Sequence, residues 1–129
     1  MDDVQPFKLS DMVATFGRDG SSSVLPSPYG PPVRIDGFTV GAPLLVNSPQ
    51  HRGEMHPDGD ELLYLVSGRV DLILELDGTS TTVGAERLET LQPGQAIIVP
   101  KGTWHRVEVR EPSRLVHITP GPNGAHRSR

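Results

Sequence analysis

Turn-forming residues set the first limit on what this chain can become. Gly and Pro, 14 and 13 of the 129 residues, fall every several positions and leave only short apolar runs between them. A helix of a globular protein needs roughly ten or more residues of 3.6-residue periodicity, and few windows here supply it. Short runs between breakers read instead as many strands joined by tight turns. The expected class is all-β, a sandwich or a barrel. Nine or so short strands must hide their edges, and closing the sheet into a barrel or jelly roll does that best.

The length suits one domain, large enough to bury a core without staples. There is no cysteine, which excludes disulfides and thiolate metal sites. A formal charge of -4 argues against a nucleic-acid partner. No apolar segment approaches the ~18 residues of a membrane span, and the acidic start does not read as a secretory signal. A soluble, cytoplasmic protein is expected.

Taken in order, residues 1–34 read as a partly irregular N-terminal arm. Ser10 is placed to cap a short helical turn through residues 11–16, and residues 17–34, rich in Gly, Ser and Pro, read as loop or a loosely attached arm. Residues 35–119 carry the strands. Residues 61–66 form a strand apolar on both faces after its first residue, Ser67–Gly68 a turn, and 69–76 a half-buried strand with Val70, Leu72, Leu74 and Leu76 on one face. Asp77–Gly78 is the strongest hairpin signal, with 79–83 pairing back. Further strands are expected at 87–91, 96–99, 103–110 and 115–119, the last two separated by a turn at Glu111–Pro112–Ser113. Residues 120–129 read as a mobile tail.

Two stretches carry the chemistry. Glu54 and His56 lie two residues apart and share a face in extended backbone. A ProAspGlyAsp turn leads to Glu61, whose carboxylate would be buried unpaired by the apolar run behind it. Residues 94–105 bring His105 after a second turn, ProLysGly. Both stretches are expected to line one cavity and share one divalent metal ion. His117, between Val116 and Ile118, fits a core position or a pocket-facing proton donor or acceptor. His51 is out of phase with Glu54 and His56, and His126 lies in the tail. Trp104 and Tyr64 read as core or interface packing, and Arg106 points away from His105.

At these residues the chain resembles a small single-domain cupin. That family's first motif has a glycine, two histidines one residue apart, a glutamate and a closing glycine. Here His56, Glu61 and Gly68 fall at the family spacing, with Glu54 in place of the first histidine and Ser48 in place of the leading glycine. The second motif is matched by Gly94, Pro100, Gly102 and His105, with Val109 where the family has asparagine. The resemblance implies a cupin-type jelly-roll β-barrel and a homodimer. It also implies a metal site of His56, Glu61 and His105, a two-imidazole, one-carboxylate set that leaves open positions. Glu54 is then a fourth ligand or a proton acceptor. Such ligation suits Fe, Mn or Zn, with Ni and Cu also open. The function expected is a metal-dependent oxygenase or isomerase acting on a small polar organic molecule, with Glu54 and His117 catalytic. A non-catalytic small-molecule binding or sensing protein, or a structural fold with a vestigial site, are the alternatives.

Overall fold

The structure, a computed structural model, describes residues 4–27 and 33–127. It is all-β, and no helix occurs among the described residues. The strands are β1 (Met12–Gly17), β2 (Ser22–Pro26), β3 (Gly37–Gly41), β4 (Leu44–Leu45), β5 (Glu54–Met55), β6 (Glu61–Leu76), β7 (Ala85–Leu91), β8 (Ala96–Val99), β9 (His105–Gly121) and β10 (Ala125–His126). All pair antiparallel in one sheet.

Two long strands, β6 and β9, form the spine. They pair from Leu62↔Ile118 to Leu74↔His105, with register shifts between Leu65 and Val70. Those shifts divide the sheet into two halves. The first half of β6 and the second half of β9 carry β8 on one side and β3, β1 and β2 on the other. The remaining halves carry β7 and, beside His105, β5 and β10. Folded on itself as a jelly roll, the sheet buries Leu63, Leu65, Val70, Leu72, Leu91, Val99 and Leu115 between its halves. Ile98, Tyr64, Phe38 and Phe16 stay exposed on the outer surface.

Several expectations change here. Ser67–Gly68 and Glu111–Pro112–Ser113 are not turns between strands. They face each other as irregularities within two continuous strands. Turns and bulges draw on the same residues, because both need backbone that departs from the ladder. Gly68 has φ 91°, and Ser113 Oγ accepts the Arg69 amide at 3.0 Å. A β-carbon on Gly68 would meet Ser113 Oγ at 2.2 Å.

Asp77 turns the chain with φ 59°, yet residues 79–83 do not pair back. The return strand begins at Ala85, opposite Leu76. The alternation in 69–76 is also not half-buried, since Asp71, Ile73 and Glu75 are buried on the outer face too. Residues 12–17 form a strand rather than a helical turn, joined to β2 and β3. Their register against β3 offers a full ladder, which outweighs a single Ser cap. Residues 22–26, read as loop, are β2. The rest of that loop reading at 28–32, and the ends 1–3 and 128–129, lie outside the described residues. The tail read as mobile contains β10 and a buried Arg127.

Replacing Gly68 by Ala should cost about 1–3 kcal/mol of stability, from the positive φ and the clash together. Urea unfolding measures it, and an unchanged midpoint would contradict the close approach of the two bulged segments.

Candidate metal centre

Four candidate residues come from separate elements and meet at one end of the barrel. Glu54 is in β5, His56 just beyond it, Glu61 opens β6 and His105 opens β9. One side-chain donor atom from each lies within 4.8 Å of every other. Glu54 and His56 share a face, as their two-residue spacing requires. Glu54 pairs directly across from His105, and a Gly102 amide bond to the His56 carbonyl, 2.9 Å, ties the two motifs together. Glu54 is 33% exposed, His56 11%, Glu61 4% and His105 fully buried.

The hydrogen bonds assign the rings. His105 Nδ1 sits 2.9 Å from the Thr103 carbonyl, an acceptor only, so Nδ1 carries the hydrogen. His105 Nε2 then faces Glu61 Oε1 at 3.0 Å and Glu54 Oε1 at 3.3 Å. A neutral ring would aim a lone pair at two carboxylates. That arrangement is stable only if the ring takes a second proton or a cation stands between the groups. His56 makes the same demand: both ring nitrogens are buried without a hydrogen bond, and Nε2 lies 3.4 Å from Glu61 Oε2 and 3.8 Å from Glu54 Oε1. Two convergent imidazole nitrogens and two carboxylates fit a divalent ion on donor type.

Without a metal, protons balance the charge. Burial lowers the affinity of His56 and His105 for a proton, but Glu54 and Glu61 outweigh it and lift them to about 9 and about 10. Burial raises Glu61, and the His105 hydrogen bond together with the nearby charge of His56 overcomes it, bringing it to about 2. Glu54 is held well below the usual range by the same competition.

The cluster sits in a cavity of about 740 Å³ with apolar walls that include Val13, Leu45, Leu63 and Leu115. His117 and Thr119 line it as well. Thr119 Oγ1 donates to Glu61 Oε2 at 2.6 Å, so it accepts from His117 Nδ1 at 2.8 Å. That leaves the His117 Nε2 lone pair free, against Gly41, where a β-carbon would lie 2.5 Å from it. Burial lowers the proton affinity of His117, which keeps it neutral. His51 does not join the four. Its Nδ1 accepts the Gly53 amide at 3.1 Å, and its Nε2 stays 3.8 Å from Glu54 Oε2. His126, given no role from sequence, lies opposite Glu54 in β10 and lines the cavity. Arg106 points outward to Glu86 and Glu108. Trp104 is core, as expected, but lies under Arg127.

The pH dependence follows from these shifts. At pH 7 metal binding should displace about two protons, one from each imidazolium, so affinity should rise with pH. Calorimetry in buffers of different ionisation enthalpy counts them; no proton release would contradict the charged rings. In metal-free protein the raised histidines add stability that is complete below their ordinary value of 6.5 and is lost as pH rises through about 9–10. Thermal melting between pH 6 and pH 10 checks the sign.

Comparison with solved structures supports the fold. An oxalate decarboxylase of Bacillus subtilis superposes with a TM-score of 0.56 at 19% identity, over 69% of this chain and 23% of that one. A hydroquinone 1,2-dioxygenase in complex with Cd2+ and 4-hydroxybenzonitrile gives 0.56 at 17% identity, over 70% and 61%. Peruvianin-I, a cysteine peptidase from Thevetia peruviana latex, gives 0.53 at 17%, over 69% and 55%. This chain thus spans less than two thirds of each. No curated protein matches it by sequence. The family model described as the cupin domain matches residues 46–119, more than half of the chain, and the protein belongs to the cupin family.

Proposed function

We propose that this protein is a metal-dependent enzyme, an oxygenase or isomerase that turns over a small polar organic molecule inside the barrel. The observation that carries this reading is the convergent set of four donors that includes His56, whose buried ring nitrogens find no hydrogen bond. Glu54, His56, Glu61 and His105 would hold the ion, with Fe, Mn or Zn favoured by the mixed nitrogen and oxygen donors and Ni or Cu also compatible. The similar Bacillus subtilis oxalate decarboxylase has Mn(II) centres, which supports an ion of this kind.

A bound divalent ion supplies Lewis-acid polarisation of substrate oxygens. The protein's own groups do the rest. Apolar walls lower the polarity around the donors and strengthen each charge interaction there. Thr119 holds His117 in the tautomer whose Nε2 accepts, so His117 takes a proton from substrate at that atom. Glu54, the most exposed of the four, is where substrate first meets the site. It serves as fourth ligand or as a second proton acceptor.

Metal analysis of protein purified without chelator should find close to one divalent ion per chain, absent from a His56→Ala/His105→Ala double variant. Iron-loaded protein should consume oxygen or isomerise a member of a panel of hydroxy acids and diketones. His117→Gln should slow that reaction about 10²–10⁴-fold with metal content unchanged. Wild type without metal under several growth conditions would overturn the reading. No turnover alongside a ligand-induced thermal shift would make the protein a small-molecule binder or sensor instead.

We also propose a homodimer through the outer face of the β1–β3–β9–β6–β8 half. Register pairs place Phe16 beside Phe38, Ile118 beside Val40 and Leu62, and Leu62 beside Ile98, with no charged side chain among them. An uncharged patch is self-complementary, as a two-fold contact requires. Light scattering should give twice the chain mass, and a Tyr64→Glu/Ile98→Glu variant should be monomeric; a monomeric wild type would contradict it.

A further inference from the structure

We propose that Arg127 is a positioning residue for the metal centre. Its buried ion pair with Glu75 latches β10 against β5 and thereby sets the place of Glu54 and His105. The role rests on the reading of the four donors as a metal site.

The latch is bidentate. Arg127 Nη1 meets Glu75 Oε2 at 2.6 Å and Nη2 meets Oε1 at 2.7 Å, with the side chains 2% and 0% exposed. The remaining guanidinium donors reach the Thr79, Thr82 and Arg52 carbonyls at 2.6–3.4 Å. Its Cζ lies over the Trp104 ring, 4.4 Å from the centroid. A fork–fork pair with this many partners fixes a side chain in one geometry.

What it fixes is next to the site on two sides. The Arg127 amide donates to the Gly53 carbonyl at 2.8 Å, and the Arg52 amide to the Arg127 carbonyl at 3.2 Å. Those bonds grip the residues that precede Glu54. Trp104 precedes His105, and its carbonyl accepts the Glu75 amide at 2.9 Å. Glu75 and Arg127 together therefore bear on the backbone of both. Strand β5 has little other hold. It is two residues long and its ladder with β9 is the one pair Glu54↔His105, so β10 supplies its second neighbour. Gly53 has φ 141°, and a β-carbon there would stand 3.0 Å from Arg127 Nη1. The backbone before Glu54 is shaped to the guanidinium. Gly124, Ala125 and His126 also form part of the cavity wall, so the same latch keeps that wall closed.

A latch that only stabilised the fold would leave the metal geometry alone. Calorimetry with Mn(II), the visible spectrum with Co(II), and hydrogen exchange of metal-free protein distinguish the two. Arg127→Gln should weaken Mn(II) binding about tenfold or more, alter the Co(II) spectrum, and speed exchange at residues 52–56 while the β6–β9 ladder keeps its protection. Arg127→Lys, which keeps the charge and loses the fork, should fall between. If Arg127→Gln does not fold, Glu75→Gln carries the same outcomes. A lower melting temperature with unchanged Mn(II) affinity and Co(II) spectrum would overturn the positioning role and leave the metal site standing. Wild type that takes up neither ion would overturn both.

Discussion

Two carboxylates and two imidazoles share one small volume inside a folded sheet, and their charges have to balance. Isolated charges at that depth would be costly. The structure allows two solutions. Either both rings are protonated and each carboxylate has a cationic neighbour, or one divalent ion takes the place of the two protons and the rings are neutral. The His105 bond to the Thr103 carbonyl makes the choice sharp, because it commits Nε2 to facing the carboxylates in either state. Everything proposed for the site is a consequence of that competition between protons and a metal for the same four groups.

The fold creates this volume by folding one sheet on itself. Strands β6 and β9 run through both halves, and each delivers its first residue, Glu61 or His105, to the same end. The bulged segments at Gly68 and Ser113 let both strands bend there without a break. The apolar cluster of Leu65, Val70, Leu72 and Leu115 fills the middle of the fold. Beyond it the cavity stays open at the end that holds the four donors. A packed middle and an open end give the polar groups a rigid floor, which is what a preorganised site needs.

Much of this was legible in the sequence. Breaker density gave the class, the two-residue spacing of Glu54 and His56 gave a shared face, and the paired motifs gave the cupin resemblance that the family match bears out. Strand 96–99 is found where expected. What escaped depended on distant partners. Ser67–Gly68 has turn chemistry, and only the opposite bulge at Pro112–Ser113 shows that the strand continues. The tail looked mobile because Arg127 finds its counter-charge on Glu75, 52 positions earlier. Its breaker-rich approach, ProGlyProAsnGly, masks a two-residue strand too short to leave a periodic signal. Thr119 gave no sign of its bonds to Glu61 and His117, since a strand threonine is ordinary. The half-buried reading of 69–76 failed for a similar reason: Arg110 and Arg127 reach across to Asp71 and Glu75 and bury them.

X-ray absorption at the edge of a bound Mn(II) or Zn(II) ion tests the centre most directly. Nitrogen and oxygen donors at about 2.0–2.2 Å, with the outer scattering of two imidazole rings, are the result expected of His56 and His105 acting together with the carboxylates. A spectrum without imidazole scattering, matching a hydrated ion, would show that the two rings keep their protons and that the cluster is a buried network of ion pairs.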